Sequence, residues 1–375
     1  MKILFITHYS FLLGSNRSLE SLVMYFKKQG VDVSVLMPSK GLFYHYLKEK
    51  GISVYAFRFF FEALYVKWNK KYLSLPLLWM YNFFAMFFLY RKIKRINPDL
   101  IYSNSSADGY SIKIAKRLGI KHVVHIREFM QEDFGAHYIW GRIIKKKKLL
   151  KSDKLIFVSK AVALSVIGSI PSNGKVIYNG VKIPVHVKRK IIGKSFRIGI
   201  VGNIDISKQQ HLLIELMPDI LKKYPEATLH IVGDKNCPYK KFIKNLTKKL
   251  ELQDNVVFEG FITDIDEIYS KFDILAMCSR SEAFGRVTVE AMLRNKPVIG
   301  YDSGGTSELI ENGITGFKFS TKEDFIFALS EIVEKPSLQE KIIENAQKFA
   351  ERHFSEQIYC KNVFNFILNN SKNND

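Results

Sequence analysis

Residues 281–316, SEAFGRVTVEAMLRNKPVIGYDSGGTSELIENGITG, constrain the fold of this chain more than any other stretch. A polar loop carrying Glu282 leads into a helical run from Gly285, whose Val287, Val289, Ala291, Met292 and Leu293 supply an apolar face. Glu290 lies on its first turns. Pro297 stops the helix, PVIGY reads as a short buried strand, and Asp302-Ser303-Gly304-Gly305 turns into a second helix near Thr306. Two helix N-termini are therefore expected on one side of a parallel sheet. Each offers unpaired N–H groups and the positive end of a dipole worth about half a charge, a setting that holds phosphate. Ionised carboxylates repel phosphate and accept hydrogen bonds from hydroxyls, so Glu282 and Glu290 suit a sugar.

Composition narrows the class. With 375 residues, the chain is long enough for two domains with full cores. Hydrophobic residues at 47% and charged residues at 25% are globular values. Cys237, Cys278 and Cys360 follow no disulfide or zinc spacing and fit a reducing compartment. The opening MKILFIT is too short for a signal peptide and reads as a buried strand. A net charge of +21 attracts anions at long range without specifying which. No zinc finger, RRM-type aromatic box or KH-type loop accompanies it, so an anionic membrane surface is the expected partner rather than nucleic acid.

Several ordered elements together identify the 281–316 stretch: the acids Glu282 and Glu290 with seven residues between them, AFG before the helix, EAM within it, then KPVIG and SGGTSELI. This set resembles the carboxyl-terminal signature of the retaining glycosyltransferases of family 4. An ordinary βα unit with its acids on a solvated face is the weaker alternative. The resemblance covers nearly the whole chain and is strongest over residues 200–316. It implies an α/β protein of GT-B architecture, two Rossmann-like parallel-sheet domains facing across a cleft. It also implies sugar transfer, with no metal and no cofactor, from a UDP- or GDP-linked nucleotide sugar to a glycan acceptor. A nucleotide-sugar epimerase of the same fold, or a non-catalytic sugar-nucleotide or nucleic-acid binder, are the rival readings.

In chain order, residues 2–7 form the first strand, and Gly14-Ser15-Asn16 supply the turn and N-cap of a helix over 17–29. Family members usually have a glycine pair here; Gly14 keeps one place and Ser15 holds the other. Between Leu73 and Tyr90 there is no charge, with Lys67, Lys70, Lys71, Arg91, Lys92, Lys94 and Arg95 as flanks. Pro76 and the strand that follows at once argue against a spanning helix and for one with an aromatic face at the membrane surface. A wholly internal helix is the alternative. The next strand ends at Ser103, Asn104 and Ser105, and the one after it at His125, Arg127 and Glu128. In many family members a lone histidine stands there; which of the three residues replaces it stays open. Strand alternation puts His125 and Arg127 on one face and Glu128 on the other.

KVIYNGVKIP closes the first half, and 184–195 reads as a linker. The expected domains are 1–183 and 196–352, with a C-terminal helix near 353–370 returning to the first. In the second half a strand ends at Gly202, where the family has an arginine next and a lysine five residues on. Lys208 matches the lysine, and Asn203 stands in the arginine's place. Later strands end at Gly233 and Gly260-Phe261, the latter expected against the base. Asp264-Ile-Asp266 reads as a helix start rather than a metal site. The resemblance thus assigns Gly14, Gly202, Asn203, Lys208, Gly233, Phe261, Glu282, Ala283, Phe284, Gly285, Arg286 and Glu290 to the donor. Ser15, Asn104, Ser105 and Glu128 fall to the acceptor, with Glu282, Lys208, His125 and Arg127 nearest the chemistry. The expected location is cytoplasmic, at the inner face of the cytoplasmic membrane, in the synthesis of a bacterial surface polysaccharide.

Overall fold

The computed structural model describes residues 1–11, 14–58, 62–65, 75–185, 187 and 191–368. Lys67, Lys70, Lys71, Leu73 and parts of the expected linker lie outside them. The chain forms two compact units, residues 1–180 with 356–375, and residues 181–355.

The strands of the first unit are β1 (Lys2–Ile6), β2 (Asp32–Met37), β3 (Ser53–Ala56), β4 (Ala63–Tyr65), β5 (Leu100–Ser103), β6 (Lys121–Ile126), β7 (Ala136–Tyr138), β8 (Lys154–Phe157) and β9 (Gly174–Val176). Its helices are α1 (Ser15–Lys28), α2 (Leu42–Glu49), α3 (Leu75–Ile96), α4 (Tyr110–Leu118), α5 (Gln131–Phe134), α6 (Gly141–Leu149) and α7 (Lys160–Val166). Seven strands make a parallel sheet ordered β3-β2-β1-β5-β6-β8-β9, and β4 pairs antiparallel with β7 beside it.

Alternate residues of one strand feed opposite faces of this sheet. Ile3 and Phe5 of β1 pack with Leu19, Leu22 and Phe26 of α1 and with Phe43 and Leu47 of α2. Leu4 and Ile6 pack instead with Leu89, Ile93 and Ile96 of α3 and Ile114 and Ala115 of α4. A strand buried on both sides reads as a continuous apolar run, and KILFI does.

The second unit holds β10 (Arg197–Val201), β11 (Thr228–Val232), β12 (Val256–Gly260), β13 (Ile274–Met277), β14 (Val298–Tyr301) and β15 (Phe317–Phe319). They form a parallel sheet ordered β12-β11-β10-β13-β14-β15. Its helices are α8 (Gln210–Lys223), α9 (Pro238–Lys249), α10 (Ile265–Ser270), α11 (Arg286–Met292), α12 (Gly304–Leu309), α13 (Lys322–Glu334) and α14 (Pro336–Phe354). Thr321 and Asp324 form a capping box at the start of α13. The last helix, α15 (Glu356–Leu368), belongs to the first unit, where Tyr359, Val363 and Ile367 complete the core against α1. Asp264 caps α10 by accepting from the Glu267 N–H at 2.7 Å, and Asp266, in its first turn, pairs with Arg294 at 2.8 Å.

Candidate functional site

In the second unit, three glycines crowd the carboxyl ends of β10, β11 and β12. Gly202 and Gly233 have φ of +143° and +131°, values that side chains rarely adopt. A Cβ on Gly233 would strike the Gly202 carbonyl, and the Gly233 N–H donates to the Gly260 carbonyl at 2.7 Å. The backbone is therefore pressed together where the loop to α8 begins. Asp205 caps that loop's single helical turn by accepting from the Ser207 N–H at 3.1 Å. Lys208, the last residue of the turn, packs its stem along Gly202 and pairs its ammonium with the Glu282 carboxylate. Asn203 is exposed and offers its carbonyl to the Gln210 side chain at 3.0 Å.

The loop carrying Glu282 is clamped against the start of α12. The Gly305 N–H donates to the Glu282 carbonyl at 2.6 Å. A Cβ on Gly304 would stand 2.8 Å from the same oxygen, which explains the paired glycines of SGGTSEL. The sequence offered this end of α12 to an anion; the clamp takes up its Gly305 amide. Phe284 is buried and meets the Phe354 ring edge-on at 6.0 Å. Gly285, at φ +87°, turns the chain into α11. The side-chain oxygens of Thr288 and Thr306 both lie within 3.5 Å of where a Gly285 Cβ would sit, and neither has a protein hydrogen-bond partner. No pattern in the sequence signalled that pair.

Glu290 is 7% exposed, and both its oxygens are engaged. Arg286 donates its Nε to Oε1 at 2.8 Å, one helical turn away, and the Tyr269 hydroxyl donates to Oε2 at 3.0 Å. Burial, helped by Glu290, raises the Tyr269 hydroxyl well above its ordinary range, so it stays a donor. A carboxylate has lone pairs to spare beyond two contacts. Phe261 stands after β12, 64% exposed.

In the first unit the polar cluster gathers at the carboxyl ends of β1, β5 and β6. Gly14, at φ +53°, caps α1 without a side-chain bond, and Ser15 is already helical. Asn16, expected in the capping turn, is fully buried; it accepts from Thr7 Oγ1 and donates to the Tyr9 and Phe11 carbonyls at 2.9 and 2.8 Å. It pins the β1–α1 loop instead of capping the helix. Ser15 bonds the Tyr9 hydroxyl at 2.8 Å.

Arg127 follows the last residue of β6 and is 8% exposed. Its Nε donates to Asn104 Oδ1 at 2.8 Å, one terminal nitrogen to the Tyr359 hydroxyl at 2.6 Å, and the other to Asn179 of the YNGV segment. Asn104 also donates to the Ser15 carbonyl at 3.4 Å. Glu128 points elsewhere and accepts from Ser105 Oγ, Ser106 N and Ser106 Oγ at 2.6–2.7 Å. His125 is not part of this cluster. It is wholly buried, bonded through Nδ1 to the Tyr102 hydroxyl at 2.6 Å and packed against Tyr359. Burial and then Arg127 hold its basicity well below the usual range, so it remains neutral. His8, absent from the sequence reading, is the histidine that adjoins the cluster: Glu128, Asp108 and Arg127 all act on it, although burial dominates and lowers its basicity.

The profile described as Glycosyl transferases group 1 matches residues 183–349, and that of Glycosyltransferase Family 4 matches residues 13–183. The capsular polysaccharide biosynthesis glycosyltransferase CapM of Staphylococcus aureus is 31% identical over 193 residues, 49% of each chain. Spore coat protein SA of Bacillus subtilis is 26% identical over 180 residues, 45% of this chain and 48% of its own. The chain thus spans about half the length of these curated relatives. The crystal structure of HepE from Anabaena in complex with UDP-glucose superposes with a TM-score of 0.78 at 24% identity, covering 98% of this chain and 99% of that one. With both halves matched and the architecture shared end to end, the chain belongs to the group 1, family 4 glycosyltransferases and has their GT-B fold.

Proposed function

We propose that the protein is a metal-independent retaining glycosyltransferase that moves a hexosyl group from a UDP- or GDP-linked sugar to a lipid-linked glycan. The acceptor would lie at the inner face of the cytoplasmic membrane, in surface polysaccharide synthesis. The observation carrying this reading is the Lys208–Glu282 ion pair at the carboxyl end of the second unit's sheet, one loop away from the Arg286–Glu290 pair on α11. The donor's diphosphate carries two negative charges and gains a third as it departs with the bonding pair, and a cation already positioned for it stabilises that charge without reorganisation. Lys208 would move from Glu282 to the diphosphate, freeing the Glu282 carboxylate for sugar hydroxyls. Glu290, held in place by Arg286 and Tyr269, would accept from the ribose hydroxyls, and Phe261 would lie against the base.

On the acceptor side, Ser15, Asn104, Ser105, Arg127 and Glu128 would position the incoming hydroxyl. The capsule relative CapM and the UDP-glucose complex of HepE support the donor class and pathway proposed here.

The test is thermal unfolding with UDP, GDP, ADP and CMP in turn. A ligand at about a hundred times its dissociation constant stabilises by about 2.7 kcal/mol. A shift with one nucleotide, lost in Lys208→Ala, would assign the donor. No shift with any of the four would sink the reading.

A further inference from the structure

We propose that the face of the first unit built by α3, α4 and α6 docks on an anionic lipid bilayer. This deepens the membrane part of the reading above and rests on it only for the nature of the acceptor.

The crossovers β3–α3–β5, β5–α4–β6 and β6–α6–β8 all run the same way along the sheet. Right-handed crossover connections put such helices on one face. The shared cluster of α3 and α4 on Leu4 and Ile6 is the packing that results. α1, α2 and α15 occupy the other face.

α3 is divided along its length. Ala85, Leu89, Ile93 and Ile96 are buried, and at 100° per residue they point away from a second set. That set begins Met80, Phe83, Phe84, Phe87 and Phe88, each between 50% and 58% exposed. The same stripe continues as exposed Arg91, Lys94 and Arg95. Two turns of aromatic surface therefore run into a basic end without changing face. Large apolar patches of this kind mark contact surfaces.

Its neighbours complete the pattern. α4 shows Lys113, Lys116 and Arg117 to solvent. α6 shows Ile143 at 73% exposure and Ile144 at 48%, with Trp140 just before the helix at 46%. Exposed Arg142, Lys146 and Lys147 stand among them. None of the three helices contains an aspartate or glutamate. By contrast, α1, α2 and α15 carry Glu20, Glu49 and Glu356.

Arg142 is paired with Glu132; apolar rings flanked by the remaining cations match the interfacial zone of a bilayer, where hydrocarbon meets anionic headgroups. A second copy of the same face would set cation against cation. Nucleic acid would satisfy the cations but leave the aromatic half of α3 in water. No described helix is long and apolar enough to cross a membrane, so contact through a face is the mode the fold allows.

The full chain should be sedimented with vesicles of phosphatidylcholine alone and of phosphatidylglycerol-rich mixture. Binding is expected only to the second, and to weaken with salt. The variants Phe84→Ser/Phe87→Ser and Lys94→Glu/Arg95→Glu, all at exposed positions, should each lose it by about tenfold or more. Lys28→Glu on α1 should bind as the parent does. Nucleotide-dependent thermal shifts should be equal in all four proteins, showing the fold and donor site intact.

The proposal is overturned if the parent stays in the supernatant with both vesicles, or if both double variants bind undiminished. It is equally overturned if the substitutions instead abolish a dimer seen by ultracentrifugation or retention of single-stranded RNA. Vesicle binding without any nucleotide shift would leave docking standing and remove the transferase reading; the reverse would do the opposite.

Discussion

A β-carbon on Gly305 would stand 2.6 Å from the carbonyl oxygen of Ala283. The start of α12 and the Glu282 loop meet backbone to backbone here, and the Ser303 hydroxyl adds a bond to the Arg280 carbonyl at 2.6 Å, so the contact positions Glu282. Gly305→Ala should therefore destabilise the second unit by about 3 kcal/mol, at the high end of overpacking costs. Gly193→Ala, at an exposed position with nothing within 4 Å, should change stability little. Urea unfolding of the two variants measures the difference; equal midpoints would show that the loop yields.

Lys208 and Glu282 are partly exposed, 29% and 16% by side chain, so their ion pair contributes less than about 1 kcal/mol. Glu282→Gln should leave the melting temperature nearly unchanged and reduce sugar transfer far more. Parent-level transfer by this variant would remove Glu282 from the sugar-binding role.

Glu62, 1% exposed, receives Lys145 at 3.2 Å and Lys148 at 2.7 Å. Burial pushes its carboxyl up, but the two ammonium groups outweigh that and hold it below its ordinary range. Glu62→Gln strands two cations and should cost about 3–5 kcal/mol. Lys145→Met leaves Lys148 to neutralise the acid and should cost less. A larger loss from the lysine variant, read from denaturant midpoints, would contradict this ranking.

Asp133 answers the Phe129 N–H at 2.9 Å from a largely buried position. Burial, with Glu128 adding to it, raises its carboxyl from 3.8 to about 7. A raised acid favours the folded state while protonated. Its stabilisation is complete below 3.8 and is lost as pH rises through about 7, amounting to at most about 4 kcal/mol. Asp133→Asn should flatten the stability profile across that window. A profile unchanged from the parent's would mean that Asp133 is ionised throughout.

What the sequence reveals and what it conceals divide along contact range. The βα alternation, the helix start at Asp264, and the strand–turn–helix order of 281–316 depend on neighbours a few residues apart, and all stand in the structure. Asn16 misled because a turn asparagine normally caps; its partners Thr7, Tyr9 and Phe11 precede it on a loop whose path no local rule gives. Glu62 with Lys145, and Arg127 with Tyr359, join positions 83 and 232 residues apart. No periodicity encodes such pairs. His125 looked like a site residue because it shares a strand face with Arg127, yet it lies two residues earlier, inside β6, where Tyr102 and Tyr359 enclose it.

The path of α15 has a consequence for synthesis. Residues 181–355 are an insertion in the first unit, whose sheet is made early while Tyr359, Val363 and Ile367 are made after the entire second unit. Until then the core between that sheet and α1 lacks the side chains of α15, and buried Arg127 lacks the Tyr359 hydroxyl. The nascent first half must therefore wait on the ribosome with an open apolar seam, a state that invites chaperone capture or aggregation. Truncation within α15 should accordingly affect yield of folded protein before it affects any chemistry of the second unit.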